Sequence, residues 1–263
     1  MKPNKLATFL TGIISLAASA NAQTNFTILK SFTSVPDGNI CYATLVPDTN
    51  GWLYGTTFSG GTYTNGTIFA IRTNAFGYAG TNTYGYVKLA SFNIATNGAL
   101  PYAGVTLGSD GNFYGTTYTG GTFTNGVIFM AHKDGSGLVA LHSFVGGPDG
   151  KNPQAGLIEA SDGALYGTTY FSDSTNRGTI FKINKDGSGY SVLHIFTGNP
   201  DGQQPQCRLL EGSDGMLYGT AAFGGSHNKG TVFSLSKDGS VYNSSLYAFG
   251  SNTGDGGQSE SGS

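Results

Sequence analysis

Charge is scarce in this chain. Asp, Glu, Lys and Arg make up 11% of its 263 residues, against about 25% in an average soluble protein. The formal net charge is −2, and the basic residues form no cluster. That excludes the electrostatic footprint of a nucleic-acid binder and a polybasic membrane patch. Cysteine is nearly absent too: Cys41 and Cys207 are the only two. With no Cys-x-x-Cys spacing they argue against a zinc site or a redox motif. No stretch after residue 22 shows helical periodicity, and no Ser/His/Asp order or recurring carboxylate pair marks a catalytic centre.

The one apolar run lies at the N-terminus. Lys2 and Lys5 precede Leu6 to Ala17, and Ala20-Asn21-Ala22 offers a small-x-small cleavage site before Gln23. This is the pattern of a secretory signal over residues 1–22. The run is interrupted by Thr, Gly and Ser, and is too short to cross about 30 Å of hydrocarbon. Export is therefore expected, to the medium or the cell surface, with no membrane span in the mature chain. An oxidising destination permits a Cys41–Cys207 disulfide, which four blades closed into a ring would bring within reach.

What the chain does have is repetition. Leu53-Tyr54-Gly55-Thr56-Thr57 returns as Phe113-Tyr114-Gly115-Thr116-Thr117, as Leu165-Tyr166-Gly167-Thr168-Thr169 and as Leu217-Tyr218-Gly219-Thr220. The glycines are 60, 52 and 52 residues apart, a period that means tandem supersecondary units. An Asp-Gly turn precedes three of the motifs (Asp110-Gly111, Asp162-Gly163, Asp214-Gly215), with Asp48-Thr49-Asn50-Gly51 as a longer version before the first. An Asn-containing loop follows each motif, and a Lys-Asp-Gly turn comes later in the second, third and fourth units. The Ala75 to Tyr84 insertion accounts for the longer first spacing. The turn lysines read most simply as solvated tip residues.

Each unit holds four short runs rich in Tyr, Thr, Phe and Ile, bounded by Gly, Asp and Asn. In the third unit Phe181 and Ile183 fall on one strand face and Ile180 on the other. An open sheet would alternate apolar with polar, so both faces being apolar predicts sheets sandwiched between neighbours. The expected fold is all-β: a β-propeller of four-stranded blades at about 40–92, 101–144, 153–196 and 205–249. Phe26 to Phe32 matches the fourth strand of a blade and is expected to be an orphan outer strand. Residues 250–263 match the start of a further repeat, which predicts an incomplete C-terminus.

The assembled pattern is Leu-Tyr-Gly-Thr-Thr, Gly-Gly, Asn-Gly-Thr-Ile-Phe, Lys-Asp-Gly, Leu-His-Ser-Phe and Pro-Asp-Gly. It resembles the GloVer tandem repeat of exported bacterial proteins over essentially the whole chain after the leader. The resemblance implies an exported propeller-like repeat protein and carries over no catalytic residues. Members often end in a surface-sorting anchor, and no C-terminal apolar anchor is present in this sequence.

Candidate sites are few. Tyr54, Tyr114, Tyr166 and Tyr218 read as packing residues between blades with satisfied hydroxyls, the alternative being a ligand-binding ring. His142 and His194 occupy equivalent strand positions and read as structural. The Asp-Gly turns offer one carboxylate each and lack calcium-loop spacing, so no metal or other cofactor is expected. Tyr63 and Phe123, beside Asn65 and Asn125 in equivalent loops, are the candidate ligand contacts, with His227 in the last such loop. They suit a glycan or a protein. The expected function is an extracellular binding or surface scaffold module and not an enzyme. The alternative is a polysaccharide hydrolase or lyase, which should break the repeat with clustered polar residues on one propeller face.

Overall fold

A computed structural model describes residues 28–72, 85–172 and 177–251. The expected leader, residues 26–27, the Ala75 to Tyr84 insertion and residues 252–263 lie outside the described residues. The fold is an all-β propeller of four antiparallel blades. Blade I comprises β1 (Val46–Pro47), β2 (Trp52–Thr57), β3 (Thr67–Arg72) and β4 (Gly85–Ser91). Blade II comprises β5 (Thr106–Leu107), β6 (Phe113–Thr117), β7 (Val127–Ala131) and β8 (Val139–Ser143), and a single 3-10 turn follows it at Gly147–Asp149. Blade III comprises β9 (Ile158–Glu159), β10 (Leu165–Thr169), β11 (Thr179–Ile183) and β12 (Ser191–Ile195). Blade IV has β14 (Leu210–Glu211), β15 (Leu217–Phe223), β16 (Thr231–Leu235) and β17 (Tyr242–Ala248), with β13 (Gln203–Pro205) paired to the far end of β15.

The core lies between blades rather than within one. One cluster joins Tyr54, Ile68 and Phe92 of blade I to Phe113 and Phe129 of blade II. A second joins Ile128 and Phe144 to Leu157, Phe181 and Ile183. A third joins Tyr166, Ile180 and Phe196 to Leu209, Leu217 and Phe233. Thus Phe181 and Ile183 face the preceding blade while Ile180 faces the next, because successive strand residues point to opposite faces. Each third strand carries a register shift against the fourth, as at Ile128/Phe129 and Ile180/Phe181. Such a bulge increases local twist, which helps successive sheets fan around an axis.

The repeated motif follows from these contacts. A Cβ on Gly115 would sit 2.4 Å from Phe129 Cζ, and one on Gly167 2.6 Å from Phe181 Cζ. The strand-two glycine is the space that the strand-three phenylalanine fills. The flanking threonines tie blades together: Thr56 donates to the Ala103 carbonyl and Thr116 to that of Ala155, both at 2.9 Å. Gly126, at φ 98°, turns the loop and presses on the next blade, where a Cβ would lie 3.0 Å from Pro153 Cδ.

Three expectations change. Residues 28–32 form no strand, because no described strand offers them a third-strand edge; Phe32 instead packs edge-on against Phe69 at 5.2 Å. Phe92 on Phe129, Phe144 on Phe181 and Phe196 on Phe233 repeat that contact, so the segment keeps the blade-to-blade packing without the ladder. The Lys-Asp-Gly lysines are not solvated tips: Lys133 pairs with Asp48, Lys185 with Glu159 and Lys237 with Glu211. Finally, the cysteines do not pair. Cys41 is an exposed free thiol, whereas Cys207 is buried. The Cys207 sulfur accepts from the Thr220 N–H at 3.0 Å and donates to its carbonyl at 3.4 Å, so it is occupied within its own blade.

Candidate functional site

The four innermost segments of the blades converge on a cavity of about 390 Å³, within the range of ordinary ligand sites. Its lining is where the repeat breaks down. Just ahead of β1, β5, β9 and β14, equivalent positions hold Tyr42, Tyr102, Gln154 and Gln206, and two residues on they hold Thr44, Gly104, Gly156 and Arg208. All eight line the cavity. The residues between are small: Ala43, Ala103 and Ala155. A Cβ on Gly104 would lie 2.8 Å from the Thr44 carbonyl oxygen, so the inner segments approach too closely there for a larger residue.

An aromatic track forms the rim on the blade I and II side. Tyr42 stacks parallel to Tyr102 with centroids 5.5 Å apart, and Phe58 meets both edge-on. Tyr118 continues the track at 5.1 Å from Tyr102. Burial pushes the Tyr102 hydroxyl pKa up, so the ring stays a neutral phenol. Tyr42 remains 55% exposed. Across the cavity, the Gln154 and Gln206 amides have no hydrogen-bond partner among the described residues.

Arg208 occupies the remaining quarter. Its Nε donates to the Leu157 carbonyl at 2.9 Å, an oxygen that also accepts from Thr106 at 2.5 Å. The Arg208 stem passes alongside Gly156, where a Cβ would sit at ordinary contact distance, 3.8 Å from Arg208 Cδ. Arg208 is exposed as a residue, yet the surrounding protein desolvates its guanidinium and lowers its pKa from the ordinary value. Among the described residues no carboxylate pairs with it. Glu159 and Glu211 line a neighbouring groove with Arg208, but both are committed elsewhere. Glu159 accepts from the Ser109 N–H and hydroxyl and from Lys185; Glu211 does the same with Ser161 and Lys237.

The residues singled out from the sequence lie elsewhere. Tyr63 and Phe123 are 52% and 48% exposed at the tips of separate loops, and neither lines the cavity. Asn65 and Asn125 accept, through their backbone carbonyls, from the N–H of Leu100 and Asn152 in the next blade. The Asn125 side chain also donates to the Val145 carbonyl at 2.9 Å. His227 is exposed, 2.9 Å from the neighbouring Ser226 hydroxyl. His142 and His194 are clamps between blades: each contacts an aspartate (Asp149, Asp201) at 3.1 Å and stacks on a tyrosine of the next blade (Tyr190, Tyr242) at 3.7 and 3.6 Å. Among the described residues no three His, Cys, Asp or Glu side chains are grouped to hold a metal.

Comparison with known proteins places this architecture. The model of the Gloeobacter/Verrucomicrobia repeat matches residues 12–158 and, overlapping them, 78–262. No curated protein matches in sequence. A chain of the nidogen/laminin complex superposes with a TM-score of 0.52 at 14% identity, over 78% of this chain and 64% of that one. This chain therefore spans less than two thirds of that protein. A TolB structure from Agrobacterium tumefaciens gives a TM-score of 0.48 at 13% identity, over 85% of this chain and 70% of the other. The likeness to the nidogen/laminin chain is one of fold.

Proposed function

We propose that this chain, which belongs to the Gloeobacter/Verrucomicrobia repeat family, is an exported binding module that holds a glycan or protein in its central cavity. The observation that carries the reading is the clustering of the unlike residues. Blades that agree at nearly every packing position differ at two inner positions, and those two line one cavity. Packing alone would favour the same residue in every blade there. Stacked tyrosines, free amides and a fixed guanidinium are groups that recognise, and the small floor leaves space for what they recognise. The nidogen/laminin neighbour is, by its name, part of an assembly between proteins, which accords with binding as a use of the fold.

Binding rather than turnover is the reading adopted because the described lining residues Tyr42, Tyr102, Gln154, Gln206 and Arg208 offer stacking and hydrogen-bonding groups suited to recognition. The leader over residues 1–22 and the sparse charge accord with an extracellular or cell-surface setting. A glycan array run beside a panel of polysaccharide hydrolase substrates tests the reading. Retention of a ligand without product, weakened about tenfold or more by Tyr102→Ala, is expected, since an aromatic anchor often carries over 1 kcal/mol of binding. Turnover of a polysaccharide that disappears in His227→Ala would contradict it.

A further inference from the structure

We propose that Arg208 is the carboxylate-binding residue of the central cavity, and that the ligand is a uronate-containing glycan; the inference rests on the cavity reading above. The positions equivalent to Arg208 in the other blades are Thr44, Gly104 and Gly156. Blades I to III do without a cation there, so the architecture does not require one in blade IV. The arginine is nonetheless held. Its Nε–H is bonded to the Leu157 carbonyl and its stem crosses Gly156, which fixes the plane of the guanidinium and leaves the Nη edge free of protein partners among the described residues. A planar fork fixed in this way loses little further freedom when a carboxylate docks on it.

The surroundings select for an anion. The two carboxylates that share a groove with Arg208 are each neutralised by a lysine, so the guanidinium carries an uncompensated positive charge. In a chain this poor in charge, an unpaired arginine inside a concavity is a local attractor for negative groups. The remaining walls favour a sugar over an acidic peptide. Tyr42 offers an exposed ring face for the C–H face of a pyranose, and Gln154 and Gln206 can each donate to and accept from hydroxyls. A uronate presents those three features together: an apolar ring face, hydroxyls and one carboxylate.

Isothermal titration of the full chain with hexamers of galacturonate, glucuronate and mannuronate tests this, alongside the methyl ester of each and a poly-glutamate peptide. At least one acidic hexamer should bind, with its ester about ten- to a hundred-fold weaker, as expected for loss of a charge-assisted pair. Arg208→Gln should lose the same factor toward the acid and none toward the ester, while Arg208→Lys should fall between. The side chain is solvent-accessible, so both variants should melt like the parent. Binding of the acid and the ester alike, or equal binding by the parent and Arg208→Gln, would overturn the inference. So would tighter binding of poly-glutamate than of any glycan, or no binding of any uronate. A neutral glycan that is lost on Tyr102→Ala but not on Arg208→Gln would remove the carboxylate role and leave the cavity reading in place.

Discussion

Tyr166 and Tyr218 occupy the same place in the repeat and meet different surroundings. Both donate their hydroxyls to the aspartate of the preceding turn, Asp162 at 2.7 Å and Asp214 at 2.5 Å. Tyr166 is fully buried between blades III and IV, whereas Tyr218 is only half-buried because no described blade covers the far face of blade IV. Tyr166→Ala should therefore cost about 3–5 kcal/mol. Tyr218→Ala should cost about 1–2 kcal/mol, within the common range for partly exposed sites. Urea denaturation of the two variants checks this, and equal losses would mean that burial between blades is not what the tyrosine supplies. That the tyrosines are packing residues was legible in the sequence, because a residue recurring at one strand position must meet a recurring environment. The exposure of Tyr218 was not, since it depends on what stands beyond the fourth blade.

Between elements, the same few contacts are made at successive joints with changed residues. His142 with Asp149 and Tyr190, and His194 with Asp201 and Tyr242, are two copies. At the first joint Lys30 pairs with Asp37 and lies over the Tyr86 ring at 4.4 Å. Burial pushes the Asp201 carboxyl up, but hydrogen bonds from His194 and the Thr197 N–H outweigh it and hold the pKa below the ordinary aspartate value. Asp149 behaves alike, with His142 and the Val145 N–H as donors. A depressed folded pKa contributes stability that is present above the unfolded value, about 3.9, and is lost as the pH falls through the folded one. Melting temperature should therefore hold at pH 5 and drop steeply below about pH 4, and Asp201→Asn should flatten that drop while lowering the plateau. An unchanged acid limb in the variant would remove the clamp from the account. The histidines' structural role could be read from their equivalent positions, but their partners could not. Asp149 and Asp201 lie seven residues downstream in irregular loops, and the stacking tyrosines come from the next blade. The turn lysines misled for a similar reason: Asp48 and Glu159 are their partners only through the folded arrangement.

For the whole molecule, period and strand chemistry were enough to give four blades and their order, because each blade is a local antiparallel meander and its neighbours are its sequence neighbours. The proposed site was harder to see. The outer loops carry the exposed aromatics Tyr63 and Phe123, whereas the cavity proposed as the site is marked in the sequence by a column of disagreement: Tyr42, Tyr102, Gln154 and Gln206, with Thr44, Gly104, Gly156 and Arg208 beside it. These columns sit where the repeat motif is weakest, and only the convergence of the inner segments makes neighbours of residues more than 160 positions apart. That convergence is the central claim, and mapping a bound ligand residue by residue tests it most directly. In amide and side-chain NMR spectra titrated with a glycan retained on the array, the account predicts shifts concentrated at Tyr42, Tyr102, Gln154, Gln206 and Arg208. Shifts gathered instead at Tyr63, Phe123 and His227, with the cavity resonances unmoved, would contradict it.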